Sequence, residues 1–180
     1  MSKAILAICL LFGCKGAPPP SPREFKITSN SFFDNGTIPD SFSCKAGIKQ
    51  KFPNLDFHNI PENTQSMAII MDDPDAISVV GYIWTHWLVY NIPTNTKKIG
   101  PGANNKSPLP IGVLLGKTSS GDTVYEGPCP PSGQLHRYKF RLFALNKTLP
   151  LGQGATAKEL RTAMQGAIID STIYTGVFKQ

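Results

Sequence analysis

The sequence has no apolar run long enough to cross a bilayer, and it contains few charged residues. Its N-terminal apolar stretch covers residues 4–12, whereas a membrane-spanning helix needs about 20 apolar residues. Charged residues make up 17% of the chain and hydrophobic residues 41%, a balance that excludes global disorder. The 16 Gly and 16 Pro follow no period and sustained heptads are missing, which excludes collagen-like and coiled-coil chains.

Motifs of common enzyme classes are also missing. Residues 112–118 imitate a phosphate-binding P-loop, but one residue is missing between the two glycines, and that spacing sets which amides reach the phosphates. The sequence has no G-x-S-x-G and no H-E-x-x-H. Its three histidines, His58, His86 and His136, do not have the spacing of a metal site. We therefore predict no metal and no cofactor.

The chain is large enough for one domain, because domains usually contain about 100–200 residues and this chain has 180. Frequent Gly and Pro favour many turns and short strands. The net charge of +6 favours anionic partners, but it is too small to select among phosphates, membrane surfaces and nucleic acid.

The N-terminus has the pattern of a secretory signal. A lysine precedes the apolar run, and Gly13-Cys14 follows it, as in a signal peptide. Residues 11–14 resemble the lipobox of bacterial lipoproteins, in which the cysteine is acylated. We predict a signal peptide over residues 1–13, a lipid anchor at Cys14 with a Pro-rich tether to residue 23, and a folded domain over 24–180. The predicted location is the bacterial cell envelope; an uncleaved N-terminus on a cytoplasmic protein is the alternative.

The sequence predicts short strands and one clear helix for the folded domain. Residues 66–71 are apolar on both alternating faces, which predicts a central strand ended by the following Asp-Asp-Pro. Residues 84–90, 136–145 and 173–178 are predicted strands, and 95–120 a long surface excursion. Thr156 with Glu159 forms a capping-box pattern. The helix that follows would bury a stripe at helical spacing: Leu160, Ala163, Met164, Ala167 and Ile168.

Polar residues recur at the ends of these strands, next to Pro, Gly or aromatic residues. The segments are 72–76, 84–87, 125–133 and 136–138. Two imidazoles, a phenol and backbone amides at a Gly-Pro turn can all donate hydrogen bonds to an anion. Trp84 and Tyr125 would wall such a pocket, and Asp73 would orient a histidine. The residues alone leave open the alternative that they are helix caps and satisfied core groups.

In this order, the segments resemble the phosphatidylethanolamine-binding protein family, in particular its bacterial, Raf-kinase-inhibitor-like branch. The Asp-Pro-Asp-Ala motif (73–76) and the Gly-Pro-Cys-Pro-Pro…His-Arg-Tyr motif (127–138) are the most specific. The resemblance implies a mostly β fold, with two antiparallel sheets in a Greek-key sandwich and small helices that include a C-terminal helix. It also implies a pocket for phosphate, phosphoryl or phospholipid-headgroup anions. The implied ligand-binding residues are Asp73, Asp75, Trp84, His86, Gly127, Pro128, His136 and Tyr138.

The sequence departs from the family pattern at three places. Ile77 replaces a proline after Asp-Pro-Asp-Ala, residues 49–53 form a basic rim, and Ala167 replaces a helix histidine found in many bacterial relatives. None of these departures touches the implied pocket, but each could change which ligand fits.

We predict a non-enzymatic binding module that also inhibits a kinase- or protease-like partner. Its predicted partners are an anionic small molecule or headgroup, the membrane through the lipid anchor, and a protein, with no nucleic acid. The alternative is a hydrolase that uses an Asp/His pair as general base; it lacks a recognisable nucleophile.

Two of the four cysteines are left to pair with each other. Cys9 would be removed with the signal peptide and Cys14 acylated, which leaves Cys44 and Cys129. Export to an oxidising compartment would permit a disulfide between them, although two buried thiols would satisfy the sequence equally well.

Overall fold

The computed structural model describes residues 24–103 and 109–180. The predicted signal peptide, the acylated Cys14 and the Pro-rich tether therefore lie outside the described residues. No helix within the described ranges is long and apolar enough to cross a membrane.

Two sheets organise the described chain, as predicted. Their strands are β1 (Lys26–Thr28), β2 (Gly36–Thr37), β3 (Lys51–Phe52), β4 (Leu55–His58), β5 (Ser66–Asp73), β6 (Trp84–Ile92), β7 (Lys98–Ile99), β8 (Gly102–Ala103), β9 (Leu114–Leu115), β10 (Leu135–Leu145) and β11 (Ile168–Lys179), where β3 and β8 form a separate two-stranded ladder.

The two sheets differ in size. The smaller has the order β1-β4-β7 and is antiparallel. The larger has the order β2-β11-β10-β5-β6-β9. All neighbouring strands in it are antiparallel except β2, which runs parallel to β11.

Few helices accompany the sheets. Two short 3₁₀ helices cover Asp40–Phe42 and Cys44–Lys49, and a single α-helical turn, α1, covers Ile77–Val80. The C-terminal helix α2 covers Ala157–Met164. Thr156 and Glu159 form the predicted capping box at its start.

The large sheet is buried on both faces, which explains why β5 is apolar at consecutive positions. On one face, Ile69 and Phe140 pack against Leu55 and Phe57 of the small sheet. On the other face, Ile70 packs in a second cluster that contains Leu160 and Met164 of α2. Alternation along β5 therefore directs Asp73 to the side between the sheets and Asp72 to the side of α2.

Three local predictions were wrong. The strand β5 continues through Asp72 and Asp73, because both carboxylates find partners inside the fold. Residues 95–120 do not simply cross the surface, since β7 and β9 in this segment pair with β4 and β6. Helix α2 ends at Met164, and Ile168 is an exposed residue of β11. Gly166 adopts a left-handed φ of 68° and breaks the helical spacing before Ile168.

Candidate functional site

A cavity of about 350 Å³ opens where the ends of β5, β6 and β10 meet the loop around residues 126–131. Its polar lining comes from the ends of the three strands and from Glu126 and Gln180, while α1, Trp84 and a Pro-Pro pair supply apolar surface. The lining residues are Asp73, Ala76, Val79, Val80, Trp84, His86, Glu126, Gly127, Cys129, Pro130, Pro131, His136 and Gln180.

Asp73 and His136 form a buried pair in the wall of this cavity. The Asp73 Oδ2 atom lies 2.7 Å from His136 Nδ1, and both side chains are 4% exposed. The other carboxylate oxygen accepts the backbone amides of Asp75 and Ala76 at 2.9 and 3.1 Å. Since every carboxylate oxygen is engaged, Asp73 is held rigidly and orients the imidazole. The His136 Nε2 atom lies 3.2 Å from Gln134 Oε1.

His86 enters the cavity from β6. Its Nδ1 atom lies 2.8 Å from the backbone carbonyl of Glu126, so this nitrogen must carry the proton and donate it. Burial lowers the pKa of His86 below its usual 6.5, against the opposing effect of the Glu126 carbonyl and nearby carboxylates. In a neutral His86 the Nε2 atom therefore carries no proton. The ring gains a second N–H donor only when Nε2 is protonated.

A local irregularity in the sheet aims His86 at the cavity. In the pairing of β5 with β6, Met71 lies opposite Trp87 and Asp72 opposite Thr85, which leaves His86 as an extra residue. Such a bulge changes the side to which a side chain points. Trp87 packs in the core between the sheets, and His86 faces the same side, where its ring meets Tyr138 at 5.1 Å between centroids.

Tyr138 lies beneath both histidines. Its ring is fully buried and stacks near His136 at a centroid distance of 6.5 Å. Within residues 24–103 and 109–180, the Tyr138 hydroxyl is a buried polar group without a hydrogen-bond partner. Burial, followed by the charge of Asp73, raises the pKa of this hydroxyl, so it stays protonated and can donate.

A disulfide and a glycine fasten the loop on the opposite wall. Cys44 is joined to Cys129, with their Cα atoms 5.4 Å apart, and the Cys44 amide donates to the Pro128 carbonyl. A Cβ atom at residue 127 would collide with the backbone of Phe42 and Ser43. Glycine is therefore required for the close approach between this loop and the 3₁₀ helices.

Comparison with known proteins places this arrangement in a family. The family model of the phosphatidylethanolamine-binding protein matches residues 28–179. The chain belongs to the phosphatidylethanolamine-binding protein family. The predicted family is thus confirmed, and so is the mostly β fold with two sheets and a C-terminal helix.

The relatives of this chain include archaeal and bacterial proteins. A UPF0098 protein of Methanothermobacter thermautotrophicus is 36% identical over 86% of this chain and 98% of its own length. A Mycobacterium tuberculosis protein named "Putative lipoprotein LppC" is 33% identical over 90% of this chain and 76% of its own. The crystal structure of YbcL of Escherichia coli, described as a member of the mammalian PEBP family, superposes with a TM-score of 0.79. It is 28% identical and covers 88% of this chain and 99% of its own.

The structure brings most of the predicted ligand-binding residues of this family member together. Asp73, Trp84, His86, Gly127 and His136 line the cavity. Tyr138 lies behind it rather than in its wall.

Two predicted ligand-binding residues point elsewhere. Asp75 does not line the cavity, because its carboxylate binds the Arg137 backbone amide and guanidinium at 2.6–3.0 Å. Pro128 is also absent from the wall, and its carbonyl accepts from Cys44.

One predicted wall residue belongs to the core. Tyr125 is buried against Phe52 and Trp87, and its hydroxyl donates to the Phe42 carbonyl. Its place in the cavity wall was therefore a wrong prediction.

Glu126 was not predicted as a cavity residue, although it lies within the 125–133 segment whose other residues were considered. The Trp84 indole donates to the Glu126 carboxylate at 3.2 Å, which positions both at the cavity wall. Val79, Val80 and Gln180 were also missed, and nothing local in the sequence connects the C-terminal residue to the Asp-Pro-Asp-Ala motif. Among the described residues, no group of three or more His, Cys, Asp or Glu is arranged to hold a metal ion.

Proposed function

We propose that this chain is a binding module, rather than an enzyme, whose cavity takes a phosphate, phosphoryl or phospholipid-headgroup anion. The observation that supports this proposal best is the buried Asp73–His136 pair in the cavity wall. Asp73 holds the His136 imidazole in one orientation before a ligand arrives, which reduces the entropy lost on binding. His86 lines the same cavity, so two imidazoles can face one ligand.

The charge of the cavity selects the protonation state of the ligand. Both Asp73 and Glu126 line it, and a dianion would meet their repulsion. A monoanion, such as a phosphate monoester that carries one proton, meets less of it. Because burial lowers the pKa of His86, the ring is neutral near pH 7 and gains its second donor as the pH falls. We therefore expect binding to strengthen as the pH decreases below 6.5.

A hydrolase is the second candidate, since an Asp–His pair at 2.7 Å is also the geometry of a general base. The described lining contains no serine or threonine, and its cysteine is held in the disulfide. Covalent catalysis would therefore lack a nucleophile there. Release of phosphate or alcohol from a phosphate ester, lost in His136→Ala, would favour the hydrolase.

A protein partner is supported by the surface beside the cavity. The side chains of Ile77, Val79, Val80, Tyr82 and Ile83 are 40–51% exposed, and Val79 and Val80 also line the cavity. Exposed apolar residues that lie together mark interaction sites. Inhibition of a kinase- or protease-like partner would use this surface together with the cavity.

Attachment at the bacterial cell envelope through Cys14 remains part of the proposal. Intact-mass analysis of the chain from the membrane fraction would test it. A mature N-terminus at an acylated Cys14 is the expected result, and an unprocessed Met1 would contradict it.

Calorimetric titration of the full-length chain with O-phosphoethanolamine tests the cavity. The expected result is tighter binding at pH 5.5 than at pH 7.5, with a flatter pH profile in His86→Gln. His136→Ala removes a charge-assisted hydrogen bond and should cost about 1.5–3 kcal/mol of binding. His58→Ala is the matched control, because His58 is exposed on β4 and bonds Thr28. Equal losses in the two alanine variants would reject the cavity as the site.

A further inference from the structure

A second, larger depression lies on the other face of the large sheet, next to α2. This basic groove has a volume of about 640 Å³ and separates α2 from the ends of β5, β6 and β10. It shares no residue with the cavity that contains His86 and His136. Its lining residues are Asp72, Ile83, Thr85, Arg141, Phe143, Ala157, Lys158, Arg161, Thr162 and Gln165.

The base of the groove is a buried carboxylate that holds two arginines. Asp72 is 2% exposed, and its Oδ2 atom accepts from Arg161 Nη2 at 2.8 Å and from Arg141 Nε at 3.3 Å. The two arginines come from different elements, α2 and β10. Asp72 therefore fixes two guanidinium groups side by side before any ligand arrives, which reduces the entropy lost on binding.

Most donors of these guanidinium groups remain available. A guanidinium has five N–H groups, and within the described chain each arginine here uses one of them on Asp72. The Arg141 and Arg161 side chains are 27% and 45% exposed, so solvent and ligands can reach them. Arginine forks of this kind bind carboxylate and phosphate oxygens in pairs.

The groove also has an excess of positive charge. Lys158 joins the two arginines in its lining, and Asp72 is the one acidic residue among the described lining residues. Two positive charges are therefore unmatched. An adjoining cleft shares Thr85, Ala157 and Lys158 with the groove and adds Lys117, which extends the positive surface.

We propose that the basic groove is a second ligand site, for a compound that carries two or more phosphate or carboxylate groups. A single monoanion would satisfy one guanidinium and leave the second charge unmatched, whereas two linked anionic groups match both. The proposal is independent of anion binding in the cavity, because the two sites lie on opposite faces of the sheet.

Inorganic pyrophosphate is the probe, with citrate as a second arm that replaces phosphate by carboxylate. The full-length chain, labelled with ¹⁵N-arginine, is titrated and the Nε–H signals are followed by NMR, with calorimetry in parallel. The expected result is a saturable shift of the Arg141 and Arg161 signals. Binding of pyrophosphate alone would assign the site to phosphate compounds, and binding of both probes would assign it to multivalent oxyanions in general.

Two variants and one control locate the site. Lys158→Gln and Arg161→Gln each remove a charge-assisted contact and should weaken pyrophosphate binding about tenfold. Lys98→Gln removes an equal charge from β7 in the other sheet and should leave the affinity nearly unchanged. Lys158 does not contact Asp72, so its variant decides the question if Arg161→Gln fails to fold.

Three outcomes would overturn the proposal. The first is a shift of the histidine signals without any shift of the arginines. The second is an equal loss of affinity in Lys98→Gln and Lys158→Gln, which would indicate a general charge effect. The third is reversal of the arginine shifts by O-phosphoethanolamine at a concentration that saturates the cavity, which would show that both ligands compete for one site.

Discussion

Asp72 and Asp73 are consecutive residues of the same strand, and both are nearly inaccessible to solvent, yet they have different surroundings. Asp73 lies between the sheets, where a buried imidazole and two backbone amides surround its carboxylate. Asp72 faces α2, where two partly exposed arginines and Thr85 surround it. The role of each buried carboxylate therefore depends on the groups that it binds. One orients a histidine at a small cavity, and the other assembles cations beneath an open groove.

The largest expected effect is that of Asp73→Ala. This change leaves the buried His136 ring and the backbone amides of Asp75 and Ala76 without their acceptor. Breaking a buried pair of this kind costs about 3–5 kcal/mol of unfolding free energy. Denaturant unfolding measures the loss. Asp122→Ala is the control, since Asp122 is exposed and its side chain makes no hydrogen bond within the described residues. Similar stabilities of the two variants would contradict the description of Asp73.

A smaller loss is expected for Asp72→Asn. The neutral amide keeps an oxygen acceptor, and Arg141 and Arg161 can turn toward solvent because they are partly exposed. We expect a loss of about 1–2 kcal/mol of unfolding free energy. In the same variant, the NMR signals of His136 should stay in place, since its partner is unchanged. A loss as large as that of Asp73→Ala would show that the two surroundings are energetically alike.

The smallest effect is expected at the exposed pair of Asp75 with Arg137. The Arg137 guanidinium and amide lower the pKa of Asp75 from 3.8 to about 2. A carboxylate with a lowered pKa in the folded state stabilises the fold above its unfolded pKa. This contribution is therefore complete well above pH 4, decreases below it, and is lost as the pH falls through about 2.

Thermal unfolding of the wild type and Asp75→Asn at pH 5 and pH 2.5 checks this expectation. The two proteins should differ slightly at pH 5, by a fraction of the loss at Asp72, because solvent screens an exposed pair. The difference should be clearly smaller at pH 2.5, because Asp75 is lost as a charged group only as the pH falls through about 2. An equally large difference at both pH values would show that Asp75 acts by packing rather than by its charge.

Strand and helix positions could largely be predicted from the local sequence. The alternation of residues 136–145 corresponds closely to β10, because one face of that strand packs between the sheets and the other carries Arg137, Lys139 and Arg141. The capping box marked the start of α2 correctly. Its end was misjudged, because Ile168 continues the helical spacing although the chain has already turned into β11.

The candidate site was only partly predictable. Motif order identified Asp73, His86 and His136, and the structure brings them to one cavity. The same motif suggested Asp75, which instead binds Arg137. Asp75 lies only two residues after Asp73, but its carboxylate binds the backbone amide and guanidinium of Arg137 instead of facing the cavity.

By itself, the sequence determined the family, the central strand and the residue types that gather at the strand ends. Only the tertiary structure decided where those side chains point. The bulge at His86 reverses the side that simple alternation from Trp87 would assign. The neighbouring carboxylates of Asp72 and Asp73 likewise bind partners on opposite faces of the sheet, and these partners lie 63 to 89 residues away in the chain. Local patterns predict strands and helices, but the partners of a buried charge come from segments that meet only in the folded protein.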